Sequence, residues 1–224
     1  MSEEHTEPLK KDHTGRDLLI LMLVLGGLIA FVVIILVLKE PKQRTLDEVF
    51  AATLAGEETE NNYLYNGFAF VRIDNTTWMT RYQRDDRLYS IPLRYSPREV
   101  DDIEFIGSVN ERFNSSNLYI TFDPRGKDVF KYEALAAAEL TINLAMVFGI
   151  EPVAACAYNV SEACYDRPIV SCQDEDKGVI FLREADETLV SLENNCMIVQ
   201  GPGKDLLRAV DRVLYVLYGI MKRD

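Results

Sequence analysis

The stretch LYITFDPRGKDVFKYEALAAAELTINLAMVFGIEPVAAC, residues 118–156, decides the fold. Leu118 to Phe122 is a short run of aromatic and β-branched residues, closed by the turn composition Asp123-Pro124-Arg125-Gly126. Tyr132 to Phe148 is rich in Ala and Leu, free of Gly and Pro, and stopped at Gly149, which predicts a long helix. Pro152 to Cys156 returns to strand character. Strand, helix and strand in that order predict a right-handed crossover with parallel strands. Leu135, Ala138, Ile142, Ala145 and Met146 are the helix positions expected to press on the sheet.

Upstream, Gly67–Ile73, Thr77–Gln83 and Leu88–Arg94 read as strands separated by turn-like Asp74-Asn75-Thr76 and Arg84-Asp85-Asp86-Arg87. Such short connections join antiparallel neighbours, so a three-stranded meander is expected, with Pro92 marking an edge. Downstream, Ile169–Cys172, Val179–Leu182, Leu189–Leu192 and Cys196–Val199 read as short strands. A final helix is expected over 204–220, packing through Leu207, Val210, Leu214 and Leu217, with Arg208, Asp211 and Arg212 on the wet side. The fold class is α/β or α+β: a mixed sheet, an antiparallel meander, a crossover unit and a C-terminal helix.

Nearer the N-terminus, Leu18–Leu38 is a run of 21 apolar residues without a charge. At about 1.5 Å per residue it reaches roughly 32 Å, enough to cross a hydrocarbon core. It runs directly into Lys39, Glu40 and Pro41, with no small-x-small cleavage site, so an uncleaved signal-anchor is expected. Gly26 and Ala30 form a small-xxx-small pair that would allow a homo-oligomer through helix association, though single spans also carry such pairs by accident. Residues 1–17 form the tail, 39–62 a stalk with a short helix over Leu46–Leu54, and 63–224 the domain.

Basic residues flank the span equally: Lys10, Lys11 and Arg16 before it, Lys39, Lys42 and Arg44 after it. Other features set the orientation. Cys156, Cys164, Cys172 and Cys196 all lie in the domain, an even number suited to oxidising surroundings. Asn75, Asn114 and Asn159 head glycosylation triplets there. The expected arrangement is tail inside, domain outside, at the cell membrane. Short loops favour pairing Cys156 with Cys164 and Cys172 with Cys196, since eight residues can return two Cα atoms to about 5.5 Å.

Charge and composition exclude several functions. A net charge of −12 argues against nucleic acid as a partner. The two histidines, His5 and His13, precede the span, which leaves the domain without a histidine base. Lys127, Lys131, Lys177, Lys204 and Lys222 are its only lysines, and none sits in a Ser-x-x-Lys pattern. The cysteine spacings lack the paired knuckles of a zinc site, so no metal or cofactor is expected. Gly201-Pro202-Gly203-Lys204 before a helix invites a phosphate reading, but the spacing is too short and Asp205 replaces the Ser/Thr of a P-loop. Asp174-Glu175-Asp176 before Lys177-Gly178 lacks the further ligands of a calcium loop and reads as a hairpin turn. Asp101, Asp102 and Glu104 are the carboxylates available for a hydrolytic pair. Among the meander aromatics Phe68, Phe70, Trp78, Tyr82 and Tyr89, most belong in a core. Tyr82, beside Arg81 and Arg84, is a candidate contact surface.

ALAAAEL (134–140), RPIVSC (167–172), NCMI (195–198) and AVDRVLYVLYGIM (209–221) together carry a resemblance. The chain resembles archaeal single-pass membrane-anchored proteins with an exported α/β domain, over about half its length. The shared elements concern packing and disulfides, and the resemblance implies no activity. The expected function is therefore an extracytoplasmic interaction or accessory module of a cell-surface assembly, held by the bilayer and binding a protein partner. The alternative is a tethered hydrolase using a carboxylate pair.

Overall fold

A computed structural model describes residues 14–38, 44–109, 113, 117–125 and 130–223. The tail before residue 14, Lys39, Lys42, Asn114 and Lys127 lie outside the described residues. The chain divides at Thr45 into two units. The first is helix α1, Thr14–Leu38, apolar on every face; its Leu18–Ile35 stretch is long enough to cross a membrane and none of it is buried.

The second unit begins at Leu46, not at Tyr63. Helix α2, Leu46–Leu54, belongs to the domain: Phe50 is 1% exposed and packs with Ala69 and Val71 on the meander. Asn62 fixes the return, its Nδ2 donating to Thr53 Oγ1 and to the Glu57 carbonyl. Residues 46–62, expected in the stalk, thus fall within the second unit.

The meander has four antiparallel strands in the order β1 (Asn62–Tyr65), β2 (Phe68–Arg72), β3 (Trp78–Arg84) and β4 (Arg87–Leu93). Asn66 and Gly67 both take left-handed φ, 48° and 84°, the two-residue turn that suits the strand twist. Pro92 lies on β4, at the sheet edge.

The second sheet has six strands in the order β5 (Phe105–Val109), β9 (Leu189–Asn194), β10 (Cys196–Gln200), β8 (Gly178–Arg183), β6 (Leu118–Phe122) and β7 (Val153–Cys156). β6 and β7 are parallel neighbours, with helix α3 (Phe130–Asn143) and a π-helical turn (Leu144–Phe148) between them in the chain. β10, β8, β6 and β7 run together, whereas β9 and β5 run against them. At Gly107, φ is +85° and a Cβ would come 2.3 Å from the Leu192 carbonyl oxygen, so only glycine fits on β5. Ile169–Cys172 is not a strand. Ile169 makes one bridge to Cys156, and the chain then turns because Asp174 accepts the Ser171 N–H.

Helix α4 (Asp205–Leu217) lies between the sheets, which explains its burial nearly all round. Asp211 and Arg212, expected to be wet, are 1% and 3% exposed. Leu206, Leu207, Val210 and Leu214 join Ile180, Leu182, Met197 and Val199 of the six-stranded sheet, while Tyr215 meets Phe70 of the meander edge-on. The other face of the six-stranded sheet, with Val179, Cys196 and Ile198, is covered by the segment carrying Val170 and Cys172. A strand covered on both sides is apolar at successive positions, as β10 is. Cys156 bonds Cys164 and Cys172 bonds Cys196, with Cα separations of 5.8 and 5.2 Å.

Helix α3 turns inward a face that matches the expected one at Leu135, half-buried against the core, but not at Ala138, Ile142 or Met146. Ala136, Leu140, Leu144 and Val147 are buried; Ile142 and Met146 are exposed, and so is Ala138. The helix carries apolar residues on all sides, so periodicity alone does not select its inner face.

Candidate functional site

The carboxylates at 101, 102 and 104 are not brought together as a working pair. Asp101 accepts from the Tyr65 hydroxyl, and Asp102 pairs with Arg208. The turn at Gly201 is packed so closely that a Cβ would lie 2.9 Å from the backbone of Asp205, and Asp205 itself faces Arg208 at 3.7 Å. It is a strand-to-helix joint. Asp174 accepts from Ser171 and from Lys177, which makes that acidic run a turn. Among the described residues no three His, Cys, Asp or Glu side chains gather as metal ligands. Tyr82, Arg81 and Arg84 do not form a free contact surface. Tyr82 packs on Tyr218, Arg81 pairs with Asp47 over the Phe50 ring, and Arg84 lies over Phe148 and donates to the Val147 carbonyl.

The structure instead assembles two carboxylates that the sequence had separated by 72 positions, Glu139 on α3 and Asp211 on α4. They line one cleft of about 170 Å³ with Arg94, Thr76, Thr77, Pro92, Leu93, Ile142, Asn143 and Leu214. Asp211 Oδ2 accepts the backbone N–H groups of Arg94 at 3.0 Å and Tyr95 at 2.7 Å, tying α4 to the end of β4. Arg94 Nε donates to Glu139 Oε1. Asn143 links the helices, its Nδ2 donating to the Glu139 carbonyl while its Oδ1 accepts from the Tyr218 hydroxyl. Glu139 Oε2 is buried without a hydrogen-bond partner among the described residues.

Burial raises the Glu139 carboxyl above its ordinary range, against the pull of Arg94. Burial raises Asp211 further, helped by the negative charge of Glu139 and opposed by its backbone donors. Both groups thus hold protons more tightly when folded than when unfolded. Their contribution to stability is present in mild acid and is lost as pH rises through the raised values. Asp123 and Asp174, held low by their bonds to Arg125 and Lys177, act in the opposite sense and at more acid pH. Denaturant unfolding followed by Trp78 is expected to show stability falling as pH rises through the interval above the ordinary carboxylate range, and a flatter profile in Glu139→Gln. Stability rising over that interval would contradict the assignment.

A second feature lies along β7. Val153, Tyr158, Val160, Tyr165 and Ile169 are exposed, Tyr165 at 68%. The Cys156–Cys164 bond and the bridge from Cys156 to Ile169 hold their segment against the sheet. The Arg125 guanidinium lies 3.8 Å over the Tyr158 ring. Asn159 lies in the same exposed segment, and Asn75 is exposed in the β2–β3 turn.

Comparison with protein-family models, with curated proteins and with solved structures finds no match to this chain.

Proposed function

We propose that the chain is a single-pass membrane-anchored interaction module, its domain outside the cell as an accessory of a surface assembly. The reading is carried by the exposed apolar group Val153, Tyr158, Val160, Tyr165 and Ile169, held by a disulfide on a domain tethered to an apolar span. Clustered exposed apolar side chains mark a protein contact. Two disulfides fit an oxidising compartment, and exposed Asn75 and Asn159 fit the same side.

Two measurements test this. Protease added to intact cells should digest the domain, whereas full protection would reverse the orientation. A photo-crosslinking residue at Tyr165 of the full chain in its membrane should yield one discrete protein adduct, lost on Val160→Glu. An identical adduct from exposed Arg87, or no adduct from either position, would remove the docking role.

A tethered hydrolase is the second reading, favoured by the shared cleft of Glu139 and Asp211. Against it stands Asp211 Oδ2, already occupied by two backbone donors, which leaves Glu139 as the one adaptable carboxylate. Hydrolysis of a glycoside library abolished by Glu139→Gln would support this reading over the first.

A further inference from the structure

We infer that the cleft between α3, α4 and the end of β4 binds a small organic ammonium ion, the N–H donor meeting Glu139 and the apolar body lying on Pro92, Leu93, Ile142 and Leu214. Four observations converge on this. The cleft volume, about 170 Å³, is close to that of an engineered apolar cavity that admits benzene. Its lining combines the apolar Pro92, Leu93, Ile142 and Leu214 with two carboxyl groups, the composition of a site that orients an amphipathic ligand. Glu139 is the carboxylate that ionises more readily there, since burial favours a proton on Asp211 most, and a ligand cation would share Glu139 with Arg94. Glu139 Oε2 lacks a hydrogen-bond partner among the described residues, and a buried acceptor left without a donor costs free energy that a ligand N–H restores. The last torsion of a glutamate is soft, so the carboxylate can turn Oε2 toward an entering donor without breaking a rotamer well.

The remaining polar groups around Glu139 do not compete for that role. Asn143 is spent on Tyr218 and the Glu139 carbonyl, and Asp211 on the β4 backbone. An anion is disfavoured by the same ionised Glu139 that attracts a cation. The proton that burial favours on Glu139 is displaced when the ammonium binds, so the site is filled more readily as pH rises.

Trp78 is the natural reporter. It is the single tryptophan, follows cleft residue Thr77 in the chain, and pairs across the sheet with cleft residue Leu93. Full-length protein in detergent should be titrated with n-butylammonium at neutral pH. Three further probes are n-butanol, n-butyltrimethylammonium and butyrate. The expected result is a saturable Trp78 fluorescence change for n-butylammonium, with a midpoint on the order of 1 mM. The affinity should fall at least tenfold in mild acid and with each of the other probes. Glu139→Gln should lower it at least tenfold while the far-ultraviolet circular dichroism is unchanged. If that variant fails to fold, Ile142→Phe at the exposed rim fills the cleft without touching a carboxylate and should block binding equally. Equal binding of n-butanol, preferred binding of butyrate, undiminished binding in either folded variant, or no saturation by n-butylammonium would each overturn the assignment.

Discussion

Phe50→Ala is expected to lower the stability of the folded unit by about 3–5 kcal/mol, the usual cost of emptying a buried aromatic site. The ring is 1% exposed, packs on Ala69 and Val71, and carries the Arg81 guanidinium 4.3 Å above its centroid. Removing it opens a cavity and takes the ring from under Arg81, which keeps its partner Asp47 on the same helix. Urea unfolding of the full chain, followed by Trp78, should show a lower midpoint with little change in slope. A loss under about 1 kcal/mol would mean that α2 is held by its surroundings and not by this contact. Residues 63–224 alone, lacking α2, should expose the outer face of the meander and aggregate.

Asp211→Ala is the second large effect. Alanine leaves two backbone donors, the N–H groups of Arg94 and Tyr95, without their acceptor. Each buried orphan costs about 1–3 kcal/mol, and relief of the buried carboxyl offsets part of it, so a net loss of about 2–4 kcal/mol is expected. Asp211→Asn keeps an acceptor oxygen in place and should lose distinctly less. Equal losses in the two variants would show that charge, not the bonds to β4, is what Asp211 contributes.

The sequence exposes some of these features and hides others for definite reasons. The crossover 118–156, helix α2 and both disulfide pairings follow from local rules: an Ala-rich run stopped by glycine, an amphipathic nine-residue stretch, and short loops between cysteines. β1 was legible too. Asn62–Tyr65, Asn66-Gly67 and Phe68–Arg72 make a strand, a two-residue turn and a strand, a signal masked by the polar run that precedes it. β5 is harder, because Gly107 interrupts its apolar pattern for a reason that lies on another strand, the carbonyl of Leu192. The cleft was hidden altogether. Asp211 reads as a solvated helix position until β4 is known to bring two backbone donors to it, and Glu139 gains its meaning only from Arg94. Sequence periodicity reports faces of single elements; such a site is a property of three elements meeting.

The placement of α4 between two sheets also orders the events of synthesis. The meander is complete at Leu93, yet the helix that covers its inner side, with Phe70, Trp78 and Ile91, begins at Asp205. At roughly 5–20 residues per second, the ribosome takes on the order of ten seconds to cover that interval. During this time an aromatic sheet surface emerges with nothing to seal it. Closure of the core between the two sheets thus waits until α4 has been made, long after the meander.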